Sequence, residues 1–216
     1  MPQGITEGGP ALPLFEQKTP LEDAQVVRQV LRGRQEAFSL LVERYQKPIF
    51  NFIYRFYGNY ELAQELTQET FLRCYQFLKS YDPERKFSTW LYTVAKNLCI
   101  DELKKQRAAR EVPLEDVLPA IDARDVEGAV ERNAQVQCIR REEDFKLLEA
   151  LQELPPAART VLLLHYFQGL SYQEIGETLG LPVSTVKIRI FRAKKILLEK
   201  WHELGGEGEI PMQGQG

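Results

Sequence analysis

At 216 residues, with 28 Lys and Arg against 31 Asp and Glu for a net charge of −3, the chain is long enough for one large domain or two small ones. That acidic balance excludes DNA binding through bulk charge alone. No apolar run approaches the length of a membrane-spanning helix, and the start, MPQGITEGGPALPLFEQK, lacks the basic and apolar blocks of a secretion signal. Cys74, Cys99 and Cys138 have no metal-ligand spacing and leave an odd thiol, which points to a reducing cytoplasm. His165 and His202 are far apart in sequence and have no catalytic company, so no catalytic residue, metal or cofactor is expected.

The expected fold is all-α, because no alternating strand pattern of useful length occurs. Residues 1–18 read as a flexible tail. Thr19, Pro20 and Glu22 form a capping box with proline at the first helical position, opening a helix to about Leu31. A second helix, Arg34 to Phe56, carries Phe38, Leu41, Tyr45, Phe52 and Phe56, and Gly58-Asn59 breaks it. A third runs from about Tyr60 to Lys79, ended by Asp82-Pro83, and a fourth from about Ser88 to Arg107. These helices make a first domain, residues 19–107. Residues 108–143 read as an acidic flexible linker: Ala108 to Ile139 holds seven acids against three arginines and two prolines. A second domain spans 144–203, with Leu154-Pro155-Pro156 dividing its first helix from Ala157–Phe167. Residues 204–216, glycine-rich and terminal, read as disordered.

The second domain closes on SYQEIGETLGLPVSTVKIRIFRAKKILLEK, residues 171–200. Ser171 and Glu174 form a capping box, Gly180 supplies a helix C-terminus, and Pro182 stands where another helix begins. Helix, glycine turn, helix is the geometry that sets a second helix in a DNA major groove. On that helix Val186, Ile190, Ala193 and Leu197 share one stripe. Opposite lie Ser184, Ile188, Phe191, Arg192 and Lys195, flanked by Lys187, Lys194 and Arg189. Six Lys or Arg stand against one acid between Pro182 and Trp201. A charged face alone is ordinary, but Ile188 and Phe191 interrupt it where binary patterning would not put them in water. DNA contact accounts for both, with the apolar pair against thymine methyls and sugars and the cations on phosphates and guanine edges.

Two features of the first domain stand out. On the third helix Glu61, Gln64, Glu65, Gln68 and Glu69 recur at helical spacing and form a polar ridge, which taken alone also suits a solvated face. On the fourth, Leu91, Val94, Ala95 and Leu98 form the buried stripe, while Thr93, Lys96, Asn97 and Lys104 point largely the other way beside Trp90. Aromatic rings mixed with Lys and Asn suit single-stranded nucleic acid. Phe87, Trp90 and Tyr92 suit a core equally.

In order and spacing, ELTQETFLRCYQFL (65–78), KFSTWLYTVAKNLCIDELKKQR (86–107) and LSYQEIGETLGLPVSTVKIRIFRAKKIL (170–197) resemble the two domains of bacterial sigma factors. The chain is similar to the small extracytoplasmic-function (ECF) branch of the sigma-70 family, over about residues 20–107 and 144–201. The resemblance implies an initiation factor that directs core RNA polymerase to promoters and helps open the DNA, with an anti-sigma factor as a further partner. It implies that Glu61, Glu65, Gln68 and Glu69 contact the clamp helices of the polymerase β′ subunit, with the β flap as the second domain's contact. It implies that the loop Tyr81 to Lys86, with Asp82 and Arg85, captures a flipped base of the −10 element. Trp90, Lys96, Asn97 and Lys104 would face the opened strand. Ser184, Thr185, Lys187, Ile188, Phe191, Arg192 and Lys195 would engage the −35 element.

The chain departs from the family in three places. Leu62 and Gln64 stand where acids are common, which weakens the polymerase-facing charge. Gly176 stands where alanine is common. The loop at 81–86 is variable in the family, so its base preference is open. The alternative function is a helix-turn-helix transcriptional regulator with an unrelated helical sensor domain.

Overall fold

The computed structural model describes residues 22–109, 142–206 and 210–212, and among these the chain is α-helical with no strand. The linker and the N-terminal tail lie outside the described residues, as do Thr19 and Pro20 of the expected first cap. The first helix, α1 (Asp23–Leu31), starts at Glu22, whose N–H donates to Gln25 Oε1 at 3.3 Å. Val26, Val27 and Val30 are its buried face. A short 3-10 turn leads into α2 (Phe38–Tyr57), which buries Leu41, Ile49, Phe52, Ile53 and Phe56. Gly58, at φ 73°, ends α2 in the left-handed conformation that a side chain resists. Asn59 then caps α3 (Tyr60–Gln76), its side-chain oxygen accepting from the Leu62 N–H at 2.7 Å. After a second 3-10 turn and the 81–86 loop comes α4 (Phe87–Ala109), with Phe87, Leu91, Tyr92, Ala95, Leu98 and Cys99 buried.

The second domain is built from α5 (Glu142–Gln152), α6 (Pro156–Leu162), α7 (Tyr172–Leu179) and α8 (Val183–Glu203). Pro156 at the first turn of α6 gives up an N–H that a helix start leaves unbonded anyway. The expected helix from Ala157 to Phe167 does not continue uniformly: Leu163–Phe167 forms one π turn. Its exit is fixed by Gln168 N–H to Leu163 O at 3.1 Å and Leu170 N–H to Leu164 O at 3.0 Å. The tail is not wholly disordered. Gly206 donates to Trp201 O at 2.8 Å and Met212 is buried, with Ile210 packed on the same core. The fully buried Trp201 ring offers the apolar surface that holds this segment, and a Cβ on Gly206 would lie 2.2 Å from it.

Helix α2 packs against α1, α3 and α4 within its own domain, and its far end meets α5, α6 and the π turn of the second domain. α4 meets α7. Both domains therefore share one apolar core in this structure.

The helix pair α7–α8 answers the question raised by Gly176. Gly180, at φ 64°, turns the chain, and the Leu181 N–H returns to Gly176 O at 2.9 Å. That return brings the Leu181 carbonyl so close that a Cβ at 176 would stand 2.8 Å from it, with Val183 and Val186 behind. Helix propensity alone favours alanine by about 1 kcal/mol. Overpacking against backbone costs about 1–3 kcal/mol. Gly176→Ala should therefore lower the melting temperature of the full chain by several degrees; a rise would show that the turn yields freely.

Candidate nucleic-acid interface

On α8 the buried stripe falls as its spacing requires: Val186, Ile190, Ala193, Leu197 and Trp201 are all buried. Ile188 is 52% exposed and Phe191 74% exposed, beside exposed Ser184, Lys187, Arg189, Arg192 and Lys195, with Thr185 half-buried. Among the described residues none of Lys187, Arg189, Arg192 or Lys195 forms a salt bridge, so their charge is unspent. Lys187 lies 5.7 Å over the Tyr172 ring and Lys194 6.0 Å over Tyr166, which ties the basic flank to α7 and the π turn. The expected Ser171–Glu174 box is present: Ser171 Oγ accepts from Glu174 N–H at 3.3 Å, and Glu174 Oε2 accepts from Ser171 N–H at 2.8 Å. This cap fixes the start of α7, and through it the angle at which α8 stands out.

The 81–86 loop divides into anchor and tip. Tyr81 is buried, its ring 5.5 Å from Phe87 and 5.6 Å from Trp90, and its hydroxyl donates to Arg85 O at 2.5 Å. In the chain without DNA, Tyr81 thus packs beneath the loop that the resemblance assigns to the −10 element. Asp82, Glu84, Arg85 and Lys86 form the exposed tip. Asp82 Oδ1 accepts from Glu84 N–H at 3.1 Å, and its other oxygen lies 3.6 Å from Arg85 Nε. Phe87 and Tyr92 are core residues, whereas Trp90 keeps part of its ring exposed. Asn97 and Lys104 are exposed, with Lys104 3.7 Å from Asp101. Lys96 is half-buried, and this burial holds its ammonium below the usual lysine range.

Along α3 the ridge is real, with Glu61, Gln64, Glu65 and Gln68 exposed and Glu69 half-buried. Leu66 and Phe71 anchor the opposite side in the core, while Leu62 is half-buried. Glu69 is tied to Arg73 at 2.7 Å, so the carboxylates most available to a partner are Glu61 and Glu65. The ridge borders a groove of about 670 Å³ whose other wall is Leu98, Asp101, Glu102 and Lys105 of α4, with Leu72 at its lip. Sequence reasoning missed that wall. Leu72, 52% exposed on the groove's lip, was its visible signal, since it breaks the polar pattern of a free surface.

Among the described residues there is no cluster of metal-ligating side chains and no helix long and apolar enough to cross a membrane. What the structure does present is two helical modules. One carries a helix with an exposed basic face, the other an acidic ridge and an aromatic-basic loop, an arrangement that suits a two-domain transcription initiation factor.

Comparison with known proteins agrees. The Sigma-70 region 2 family matches residues 41–109 and the Sigma-70 region 4 family matches 144–197. The chain is 36% identical over 182 residues to the ECF RNA polymerase sigma factor SigW of Bacillus subtilis, covering 82% of this chain and 96% of that one. It is 37% identical over 183 residues to the RNA polymerase sigma-H factor of Pseudomonas aeruginosa, covering 83% and 93%. The ECF sigma-E factor of Escherichia coli is 33% identical over 184 residues, covering 83% and 94%. Among solved structures, CnrH in complex with the cytosolic domain of CnrY superposes with a TM-score of 0.63 at 25% identity, covering 84% of this chain and 97% of that one. The chain belongs to the ECF branch of the sigma-70 family, and it is a sigma factor rather than a regulator with an unrelated sensor domain. The first domain is region 2 and the second is region 4.

Because Phe191 touches so little of its own domain, Phe191→Ser should change stability by less than about 0.5 kcal/mol in thermal unfolding. A larger loss would mean that the ring serves the fold.

Proposed function

We propose that this sigma factor recruits core RNA polymerase through the α3 ridge, reads a −35 element with α8, and holds an opened −10 strand on the tip of the 81–86 loop and the outer side of α4. The observation that carries the reading is the exposure of Phe191 and Ile188 among unpaired cations on α8. Water is a poor environment for both rings and branched chains, and major-groove methyls and sugars are a good one. Ser184 and Thr185, at the start of α8, suit phosphate contacts, where backbone N–H groups and the helix dipole add to their hydroxyls. Lys187, Arg192 and Lys195 supply the cations.

In region 2, Asp82, Arg85 and Lys86 form the tip over the Tyr81–Phe87–Trp90 aromatic base. Trp90 offers a ring edge for stacking, worth about 1–3 kcal/mol per base. Lys96, Asn97 and Lys104 continue that side along α4. Drawing a base out of the stack costs a few kcal/mol, which such contacts offset. The polymerase partners are the β′ clamp helices for Glu61, Glu65, Gln68 and Glu69, and the β flap for region 4. Leu72 and Leu98 give the clamp-helix contact an apolar strip in a groove otherwise lined by charged side chains. An anti-sigma factor is a further partner; the similar CnrH was solved in complex with the cytosolic domain of CnrY, and the sigma factor RpoE of Bartonella quintana with the anti-sigma factor NepR. Action on polymerase places the protein in the cytoplasm.

Arg192→Ala should weaken use of a cognate promoter by about 1–3 kcal/mol, seen as loss of upstream-element protection in footprints of the polymerase complex. Unchanged protection would remove that helix face from recognition. Glu65→Lys should abolish co-purification with core polymerase while the helical signal is kept. It is a cleaner change than reversal at Glu69, which would also break the pair with Arg73. Normal co-purification would show that the ridge is a solvated surface.

A further inference from the structure

Helix α8 ends in a way that sends the chain back over its own last turn. Gly205, at φ 73°, takes the left-handed conformation and its N–H donates to His202 O at 3.0 Å. The Gly206 N–H donates to Trp201 O at 2.8 Å. This pair of bonds is a Schellman ending, which often carries an apolar contact between the two positions that here are Trp201 and Gly206. Because position 206 has no side chain, its backbone lies against the indole: an added Cβ would stand 2.2 to 2.5 Å from three atoms of the ring. Lys146 of α5 donates to Gly205 O at 3.3 Å, so the chain leaves α8 on the α5 side.

Ile210 to Met212 makes a second contact. The Met212 N–H donates to Ile210 O at 2.7 Å, a three-residue turn around Pro211, whose ring fixes φ close to the value such a turn needs. Ordering it therefore costs little. Met212 is 9% exposed and Ile210 is half-buried, both packed on the core that contains Trp201. Gly205–Gly206 and Ile210–Met212 together form a strap at the end of α8.

The strap covers its site incompletely. Trp201 is fully buried, yet among the described residues its indole N–H has no acceptor. A buried donor without a partner is costly, so the strap fits the face of the ring and leaves its polar edge unsatisfied. One turn earlier on α8, Leu198 is 39% exposed. The other large apolar side chains that region 4 exposes among the described residues, Tyr172, Val183, Ile188 and Phe191, lie in the part of the helix pair assigned to duplex. Trp201 and Leu198 mark a different surface, with Trp201 about 15 Å along α8 from Phe191 by helix rise.

We propose that this surface, centred on Trp201, is where region 4 takes an apolar segment of the polymerase β flap, and that the strap covers it in the free chain and is displaced on binding. The cover shows what the site accepts: two apolar side chains, backbone laid on an indole, and a carbonyl on Lys146. A longer apolar segment that also brings a carbonyl to Trp201 Nε1 replaces a short turn that brings none. Its place at the far end of α8 lets polymerase and duplex hold the helix together. The choice of partner rests on the sigma-factor function proposed above, whereas the strap rests on the contacts at the end of α8. Binding is weakened by the fraction of chains in which the surface is covered.

The test uses the full chain in a Trp90→Phe background, where Trp201 is the single tryptophan, and the same chain ended at Gly206. The shorter chain keeps the helix ending and loses Ile210 and Met212. It should show red-shifted Trp201 emission with stronger acrylamide quenching, and should bind core polymerase about fivefold more tightly, as removal of a mostly closed cover requires. Gly206→Ala keeps the whole tail but sets a methyl into the ring. It should move both readouts the same way by a smaller amount, whether or not the shorter chain folds well. Core polymerase lacking the tip of its β flap should bind all three chains alike. A gain in affinity that survives loss of the flap tip overturns the choice of partner. Exposure of Trp201 with unchanged affinity for intact polymerase overturns the docking surface, and Trp201 that stays shielded in both variants overturns the strap. Chains that expose Trp201 in both variants but bind no core polymerase in any form keep the strap and overturn the sigma-factor function.

Discussion

Most of this structure depends on how α2 is satisfied. It is the helix with the deepest burial, and each domain has a claim on it. Region 2 takes its apolar side, where Leu41, Ile49, Phe52, Ile53 and Phe56 are buried against α1, α3 and α4. Region 4 takes its C-terminal carbonyls. A helix end buried without donors would cost about 1–3 kcal/mol for each stranded group, so the end of α2 must face water or be capped. The Gly58 turn returns a single N–H, to Tyr54 O. Gln152 and Arg159 supply the next two donors, and the α2 end becomes a joint between domains instead of a solvated terminus.

That joint combines an apolar core shared by both domains with a set of polar caps. An apolar interface of the same extent would resist separation in proportion to its area, whereas carbonyls and a guanidinium exchange partners with water at little net cost. An arginine buried without a carboxylate gives up solvation that it recovers on release. Lys86 pairs with Glu174, whose other carboxylate oxygen also accepts from the Ser171 N–H of its own cap. Glu174 shows both roles at once. Burial pushes its carboxyl up, but the bonds from Lys86 and Ser171 together outweigh this and hold it below the usual range.

Local chemistry made much of the architecture legible from sequence. Ser171 with Glu174, Gly180 and Pro182 announced the helix pair, and the 3.6-residue spacing of Val186, Ile190, Ala193 and Leu197 sorted α8 into buried and outward faces correctly. Gly58-Asn59 gave the end of one helix and the cap of the next. What stayed hidden has a common cause. Gly176 is needed because the backbone of Leu181 folds over it, and Arg159 is placed by the backbone of Phe56. A carbonyl is present at every position, so such a contact leaves no complementary residue to find. The burial of Tyr81 was hidden for a related reason: an aromatic beside a polar loop reads as surface until Phe87 and Trp90 are seen to enclose it. The tail was misread because its composition is that of a disordered segment, while the Trp201 surface it covers is visible only in three dimensions.

The closed arrangement leaves the outer face of α8 uncovered. Phe191 and Ile188 remain among the most exposed apolar side chains in the described chain, and the tip of the 81–86 loop is exposed apart from the Lys86 contact. Neither the outer face of α8 nor the tip of the 81–86 loop is buried by the packing of one domain on the other. A masked recognition helix would have to be stripped before any encounter with duplex, slowing every step. A net charge of −3 gives the chain little bulk attraction for DNA, so a hold on duplex would depend on the exposed cations of α8.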